Sequence, residues 1–231
     1  MPAPKQRLIM EEYQYINSHS SGQSDALAWI ERQTHIRTNH ARMLTGAVQG
    51  RFLKMMTELI KPQNILELGT FTGYSAVCMA EALNEGGHID TLEINDELED
   101  LILEGFERGG VGNKISLLIG DAKETLCSIR KTILEDGSKP MYDMVYIDAN
   151  KREYCEYFDL VFDIIRPGGY LLADNVLWDG KVWQDPMPQD KQTIGIDAFN
   201  KKIAADDRVE NVILPVRDGL NIIRKIIPSS F

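Results

Sequence analysis

The chain is poor in cysteine, in positive charge and in long apolar runs, and each shortage excludes a class of protein. Its 231 residues include only three cysteines, Cys78, Cys127 and Cys155, with no C-x-x-C pair and no Cys/His spacing of a metal site. A disulfide framework and a zinc site are therefore excluded, and the three are expected as buried thiols in a reducing cytoplasm. His19, His35, His40 and His88 show no ligating spacing either. Basic residues number 25 against 35 acidic ones, a formal charge of -10. That balance argues against a phosphate backbone as partner, so no nucleic acid is expected. No apolar stretch reaches membrane-spanning length, and residues 1–7, MPAPKQR, are polar without a signal-peptide core. No membrane association is expected. Internal repeats and low-complexity tracts are absent.

What is present is a regular alternation of patterns, long enough for a sizeable core. A single domain over 1–231 is expected, with a helical N-terminal extension over about 1–60. Helical patterns cover 7–17, 24–38 (with Ser24 as N-cap) and 49–60, where Phe52, Leu53, Met55, Met56, Leu59 and Ile60 recur before Pro62. Strand patterns at 64–68, 88–93, 114–119, 142–147 and 169–173 then alternate with helical ones at 73–84, 96–109, 122–135 and 151–165. Such alternation predicts a parallel sheet covered on both faces. The stripe Tyr154, Tyr157, Phe158, Val161, Phe162 and Ile165 reads as core, as do the nine methionines, and its helix is expected to end at Pro167-Gly168-Gly169. After a helix near 191–205, strands at 209–216 and 220–227 flank Arg217-Asp218-Gly219. That predicts a hairpin, and hence one antiparallel strand in a doubly wound α/β sheet.

The most informative stretch is Ile65-Leu66-Glu67-Leu68-Gly69-Thr70-Phe71-Thr72-Gly73-Tyr74-Ser75, which reads as strand, tight turn and helix start. Its glycines let backbone approach a ligand closely. The dinucleotide fingerprint is absent, because Thr70-Phe71-Thr72 leaves no middle glycine, and no Lys-Ser/Thr follows Gly73. An acid before the first glycine repels a pyrophosphate and suits a cationic ligand, and S-adenosylmethionine, with its ammonium and sulfonium, fits.

Ligands of open α/β sheets sit at the carboxyl ends of strands. Those ends carry Glu67, Glu93, Asp121, Asp148 and Asp174-Asn175. Any one of them is accounted for equally well by helix capping, but five in register are not. Glu93, 24 residues past Gly69, suits two ribose hydroxyls, and Asp121 with Ala122 can flank an adenine edge. Asp148, Asp174 and Asn175 form a second set of hard oxygen donors, selecting Mg²⁺, Mn²⁺ or Ca²⁺. Lys151, three residues after Asp148, becomes a general base if a nearby cation lowers its proton affinity, or else is a solvated helix residue. Trp178 and Trp183 follow in a loop with a proline, as a substrate wall or a subunit contact.

The segments LELGTFTGYS, YIDANKREY, GGYLLADNVLWDGKV and RVENVILPVRDGLNIIRK together resemble the cation-dependent O-methyltransferases. The caffeoyl-CoA O-methyltransferase type, including its bacterial members, is the nearest, and catechol O-methyltransferase is a more distant relative. The resemblance spans roughly 36–227. It implies a Rossmann-like seven-stranded sheet of order 3-2-1-4-5-7-6 with one antiparallel strand, and methyl transfer to a catechol-type hydroxyl of a small aromatic acceptor. It places metal ligands on Asp148, Asp174 and Asn175 and the catalytic lysine on Lys151. Cofactor contacts fall on Thr45, Glu67, Gly69, Thr70, Ser75, Glu93, Ala122 and Asp148. Met43 falls near the methyl donor, and Trp178 on the acceptor wall. A homodimer is implied as well. Plant members resemble Asp-Ala-Asp-Lys where this chain has Asp148-Ala149-Asn150-Lys151, and carry an arginine motif for CoA phosphates where it reads QTIGID over 192–197. A nicotinamide-dependent reductase and a binder of S-adenosylmethionine without catalysis are the competing readings.

Overall fold

Strand β1 (Asn64–Leu68) lies inside a seven-stranded sheet because both of its faces are apolar. Ile65 points to one side and Leu66 and Leu68 to the other, and all three are fully buried. The computed structural model describes residues 4–227, with side chains from residue 11 onward; positions 1–3 and 228–231 of the expected single domain lie outside the described residues. The other strands are β2 (His88–Glu93), β3 (Ile115–Ile119), β4 (Tyr142–Ile147), β5 (Ile165–Asp174), β6 (Val209–Leu214) and β7 (Leu220–Lys225). Their order is β3-β2-β1-β4-β5-β7-β6, as expected. Strand β7 is antiparallel to both β5 and β6, and the remaining pairs are parallel.

Helix α1 spans Pro4–Ser18. Helices α2 (Asp25–Arg37), α3 (Ala47–Ile60), α4 (Tyr74–Ala80) and α5 (Glu99–Arg108) cover one face, burying Ile30, Leu53, Val77 and Phe106 against Ile65 and Met144. Helices α6 (Ala122–Leu134), α7 (Tyr154–Phe162) and α8 (Lys191–Ala204) cover the other, with Leu126, Phe158 and Phe199 against Leu66 and Val145.

Four expectations need correction. The helix expected over 151–165 is a 3-10 turn, Lys151–Glu153, followed by α7, and it stops at Phe162 rather than at Pro167. Ile165 already pairs with Tyr142, and the register then shifts, so Pro167 sits where the ladder is irregular and its missing N–H costs nothing. The terminal hairpin turns at Arg217-Asp218-Gly219, where the Gly219 N–H donates to the Val216 carbonyl at 2.9 Å, but that turn sits in a longer loop than expected. Strand β6 ends at Leu214 and a five-residue loop, 215–219, follows, because Pro215 cannot donate to the ladder. Cys127 is exposed and Cys155 half-buried, so only Cys78 is a buried thiol. Met43 and Met55 are more than half exposed and are not core.

Candidate functional site

The ends of the parallel strands open into a cleft of ≈ 650 Å³, a size that suits a nucleoside-like ligand with a small partner. Its wall includes Met43, Gly69, Glu93, Asp121, Ala122, Asp148, Lys151, Asp174, Asn175 and Trp178. A narrow recess continues from it past Thr45, Thr70 and Ser75, sharing Met43, Gly69, Phe71 and Asp148. Among the described residues, every sequence-predicted site residue except Glu67 and Trp183, which is exposed and off this wall, thus lies on one continuous surface.

Gly69 makes this possible. Its φ is +96°, and a Cβ there would collide with the carbonyl of Asp148, so the turns after β1 and β4 touch through backbone. The Gly69 and Thr70 N–H groups both donate to the Leu92 carbonyl, at 2.9 and 3.1 Å. Phe71 is left-handed at φ +50°, held by its N–H donating to Glu93 Oε2 at 2.6 Å. Glu93 Oε1 accepts from the Asn95 N–H at 2.9 Å. Glu93 therefore shapes the glycine turn and stands on the cleft wall at once. Asp121 also has both roles: it caps α6, accepting from the Lys123 and Glu124 N–H groups at 2.9 and 3.1 Å, and faces the cleft beside Ala122.

Glu67 is fully buried within β1, and the hydroxyls of Ser75 and Thr91 donate to it. Burial pushes its carboxyl up to about 8 against those two hydrogen bonds, with Asp148 and Glu93 adding repulsion. It is not on the cleft wall, and its path to a ligand runs through Ser75, which is.

Lys151 is 8 % exposed, so it is no solvated helix residue. Its Nζ donates to Asp148 Oδ1 at 2.6 Å and to the Tyr154 hydroxyl at 2.9 Å. Burial favours the neutral amine, but the Asp148 carboxylate and the Tyr154 phenol outweigh it, and the proton affinity ends well above that of an ordinary lysine. Without a cation, the ion pair thus favours the ammonium form of Lys151.

Asp174 is nearly fully buried at the end of β5. Burial and the nearby Asp148 charge raise it to about 6, while Lys151, Gln49 and the Asn175 N–H oppose the rise. Asn175 is left-handed, at φ +58°, a conformation asparagine tolerates. Its side-chain amide has no hydrogen-bond partner among the described residues. Among the described residues no group of three or more His, Cys, Asp or Glu is placed to hold a metal; the candidate set is two carboxylates and one amide. That donor set is all oxygen, partly uncompensated in charge, and fits a hard divalent cation. Trp178 and Asp179 follow in left-handed backbone, at φ +48° and +52°, and the Asp179 N–H donates to Asp218 Oδ1 at 2.6 Å. Such strain at a cleft wall is maintained by the surrounding contacts and fixes where the indole stands.

Several residues of the site escape a reading by strand ends. Gln49 Nε2 reaches Asp174 Oδ2 at 2.7 Å from α3, and the Tyr146 hydroxyl reaches the same oxygen at 3.1 Å. Tyr154 bridges Lys151 to the carbonyls of Ile147 and Asp174. Arg217, in the hairpin loop, donates to the carbonyls of Leu44 and Thr45 and lines the cleft. The one available signal was Gln49 itself, a polar residue on the apolar stripe with Leu53 and Thr57.

The family model for O-methyltransferases matches residues 17–226. A probable caffeoyl-CoA O-methyltransferase 2 of Dictyostelium discoideum is 32 % identical over 229 residues, covering 97 % of each chain. Caffeoyl-CoA O-methyltransferase 1 of Eucalyptus globulus is 35 % identical over 189 residues, 80 % of this chain and 75 % of its own. Among solved structures, the O-methyltransferase TomG of Streptomyces achromogenes, in complex with SAM, superposes with a TM-score of 0.83 at 27 % identity, over 92 % of this chain and 95 % of its own. The SAH-bound methyltransferase PaMTH1 of Podospora anserina gives 0.85 at 27 % identity, over 98 % of each. Neither a nicotinamide reductase nor a non-catalytic binder is consistent with such relatives. Sheet order, cleft and relatives converge: the chain belongs to the O-methyltransferase family and is an S-adenosylmethionine-dependent O-methyltransferase of the caffeoyl-CoA type.

Proposed function

We propose that this enzyme methylates a hydroxyl of a catechol-type acceptor, with a divalent cation, Mg²⁺ or else Mn²⁺ or Ca²⁺, held by Asp148, Asp174 and Asn175. The observation that carries the reading is the meeting of two carboxylates, an unpartnered amide and a buried lysine on one cleft wall beside Trp178. When bound, such a cation supplies Lewis-acid polarisation of two vicinal hydroxyls, whose phenol pKa is otherwise near 10.

The chain's own residues do the rest. Thr45, Gly69, Thr70, Ser75, Glu93, Asp121, Ala122 and Asp148 hold the methyl donor, with Glu67 acting through Ser75. Met43 and Trp178 border the acceptor. Lys151 takes the hydroxyl proton at Nζ, and it can do so only when the Asp148 charge is taken up by another partner, because the ion pair otherwise keeps the amine protonated. The acceptor oxygen then attacks the methyl carbon in line as the sulfur leaves as a thioether. The transfer step consumes the charge of the phenolate and the sulfonium and builds no new oxyanion, so orientation is the main device, contributing on the order of 7–11 kcal/mol in well-aligned pairs. The chain lacks arginine over 192–197 where Gln192 meets the cleft, which favours a small free catechol over a CoA ester. No helix among the described residues is long and apolar enough to cross a membrane. A cytoplasmic homodimer acting on a small molecule, without nucleic acid or membrane, completes the proposal.

The test is chelation combined with an acceptor screen. EDTA is expected to abolish turnover and Mg²⁺ to restore it, with the circular dichroism spectrum unchanged. Labelled methyl transfer is expected to vicinal diols and not to their monohydroxy analogues. Full activity in EDTA would remove the cation from the reading, and equal transfer to monophenols would remove the catechol.

A further inference from the structure

We propose that Gln49, together with the Tyr146 hydroxyl, positions the Asp174 carboxylate and thereby sets the affinity of the cleft for a divalent cation. The inference rests on the reading of Asp148, Asp174 and Asn175 as that cation's ligands.

Gln49 is 1 % exposed and shares the inward stripe of α3 with Leu53 and Thr57. Packing alone would be satisfied by leucine there. Instead Gln49 Nε2 donates to Asp174 Oδ2 at 2.7 Å and to the Tyr146 hydroxyl at 3.1 Å. The Tyr146 hydroxyl in turn donates to the same Oδ2 at 3.1 Å, and Asp174 Oδ1 accepts from the Asn175 N–H at 2.8 Å. The sense of the amide is fixed, because turning it over would set a carbonyl against a carboxylate, two acceptors facing each other. Gln49 Oε1 is left buried without a partner. A buried carbonyl in that state is unfavourable, so the position is occupied by glutamine for its donors.

The helix that carries Gln49 is itself fixed. A Cβ on Gly50 would stand 2.7 Å from Cys78 Sγ and 2.8 Å from Tyr74 Cε1, so α3 sits directly on α4. Two donors on different elements, α3 and β4, thus clamp one oxygen of Asp174 and fix the rotation of its carboxylate. Groups that orient a metal-binding carboxylate in this way typically contribute about 10–100-fold in metal affinity.

The experiment measures Mn²⁺ binding to the cofactor-free protein by the electron paramagnetic resonance signal of free Mn²⁺. It compares the wild type, Asp148→Asn, Gln49→Leu and Tyr146→Phe. Gln49→Leu is expected to weaken Mn²⁺ about 10–100-fold. Its S-adenosylmethionine affinity is expected to stay unchanged, and its melting temperature to hold or rise as the unpaired carbonyl is lost. Tyr146→Phe is expected to weaken Mn²⁺ in the same direction and by less. If Asp148→Asn weakens Mn²⁺ and Gln49→Leu does not, the inference is overturned while the cation reading stands. If the wild type and Asp148→Asn bind Mn²⁺ equally, both fail. Should Gln49→Leu not fold, unchanged Mn²⁺ affinity in Tyr146→Phe overturns the inference by itself.

Discussion

Gly195 of α8 lies against the backbone of Lys151: a Cβ at Gly195 would stand 2.6 Å from the Lys151 carbonyl oxygen and 3.0 Å from Arg152 Cα. The helix therefore seats directly on the turn that carries the lysine, with no side chain between them. Gly195→Ala must push one away from the other, and overpacking of this kind costs about 1–3 kcal/mol. Turnover is expected to fall by roughly 10- to 100-fold as Nζ shifts, since misplacements of about 1 Å have effects of that size. Donor affinity is expected to change less than turnover, because Gly195 meets the backbone of Lys151 and Arg152 and none of the residues assigned to the donor. Steady-state kinetics with calorimetry of S-adenosylmethionine checks this, and unchanged turnover would mean that the turn relaxes freely.

Lys151→Ala separates a base from a scaffold. General-base contributions are typically about 10²–10⁴-fold, and a loss in that range is expected. Part of it should return as pH rises, because a phenol of pKa about 10 then ionises unaided. A more acidic acceptor, such as a nitrocatechol, should lose less. The same loss at every pH and with every acceptor would make Lys151 a positioning residue only.

Glu93→Ala tests the donor side. The carboxylate holds the Phe71 N–H and stands on the cleft wall, so the turn loses a partner and, on the proposed reading, the donor loses one too. Charge-assisted bonds of this type contribute about 1.5–3 kcal/mol, and donor affinity should fall accordingly while Mn²⁺ binding persists. If calorimetry finds the donor bound as tightly as before, Glu93 serves its loop alone.

Glu67 predicts a pH dependence of stability. Its carboxyl titrates near 8 when folded, against an ordinary value of 4.5. Between those limits the folded chain binds the extra proton, so stability falls as pH rises. The slope from this group is at most about 1.4 kcal/mol per pH unit. Glu67→Gln removes that slope. Denaturant unfolding of the cofactor-free proteins from pH 5 to 8 should show the wild type losing stability relative to the variant. Parallel curves would mean that Glu67 is ionised in the folded state throughout.

The sheet was legible because continuous apolar strands such as 64–68 and 142–147 are separated by amphipathic helices, and both periods survive burial on two faces. The cleft was legible because strand ends carry its carboxylates. Illegible were the features set by contacts between distant segments. The start of β5 at Ile165 depends on its pairing with Tyr142, and the loop at 215–219 on Leu177, against which Gly219 packs without a Cβ. The ammonium state of Lys151 could not be read from spacing either, because Tyr154 and its burial share in deciding it. The place of Glu67 before Gly69 was legible, but its burial beneath Ser75 and Thr91 was not, because it depends on the register of β1 with β2.

Arg217 holds the carbonyls of Leu44 and Thr45 from more than 170 positions later in the chain. Its loop is in place only when β7 has inserted between β5 and β6, the last pairing to form during synthesis. Contacts of such sequence separation close late in folding. A nascent chain can therefore build the glycine turn, Glu93 and both carboxylates of the cleft before the carbonyls of Leu44 and Thr45 meet Arg217. The anchor of the 44–45 segment is thus deferred to the final hairpin, and a chain stalled before residue 217 lacks it.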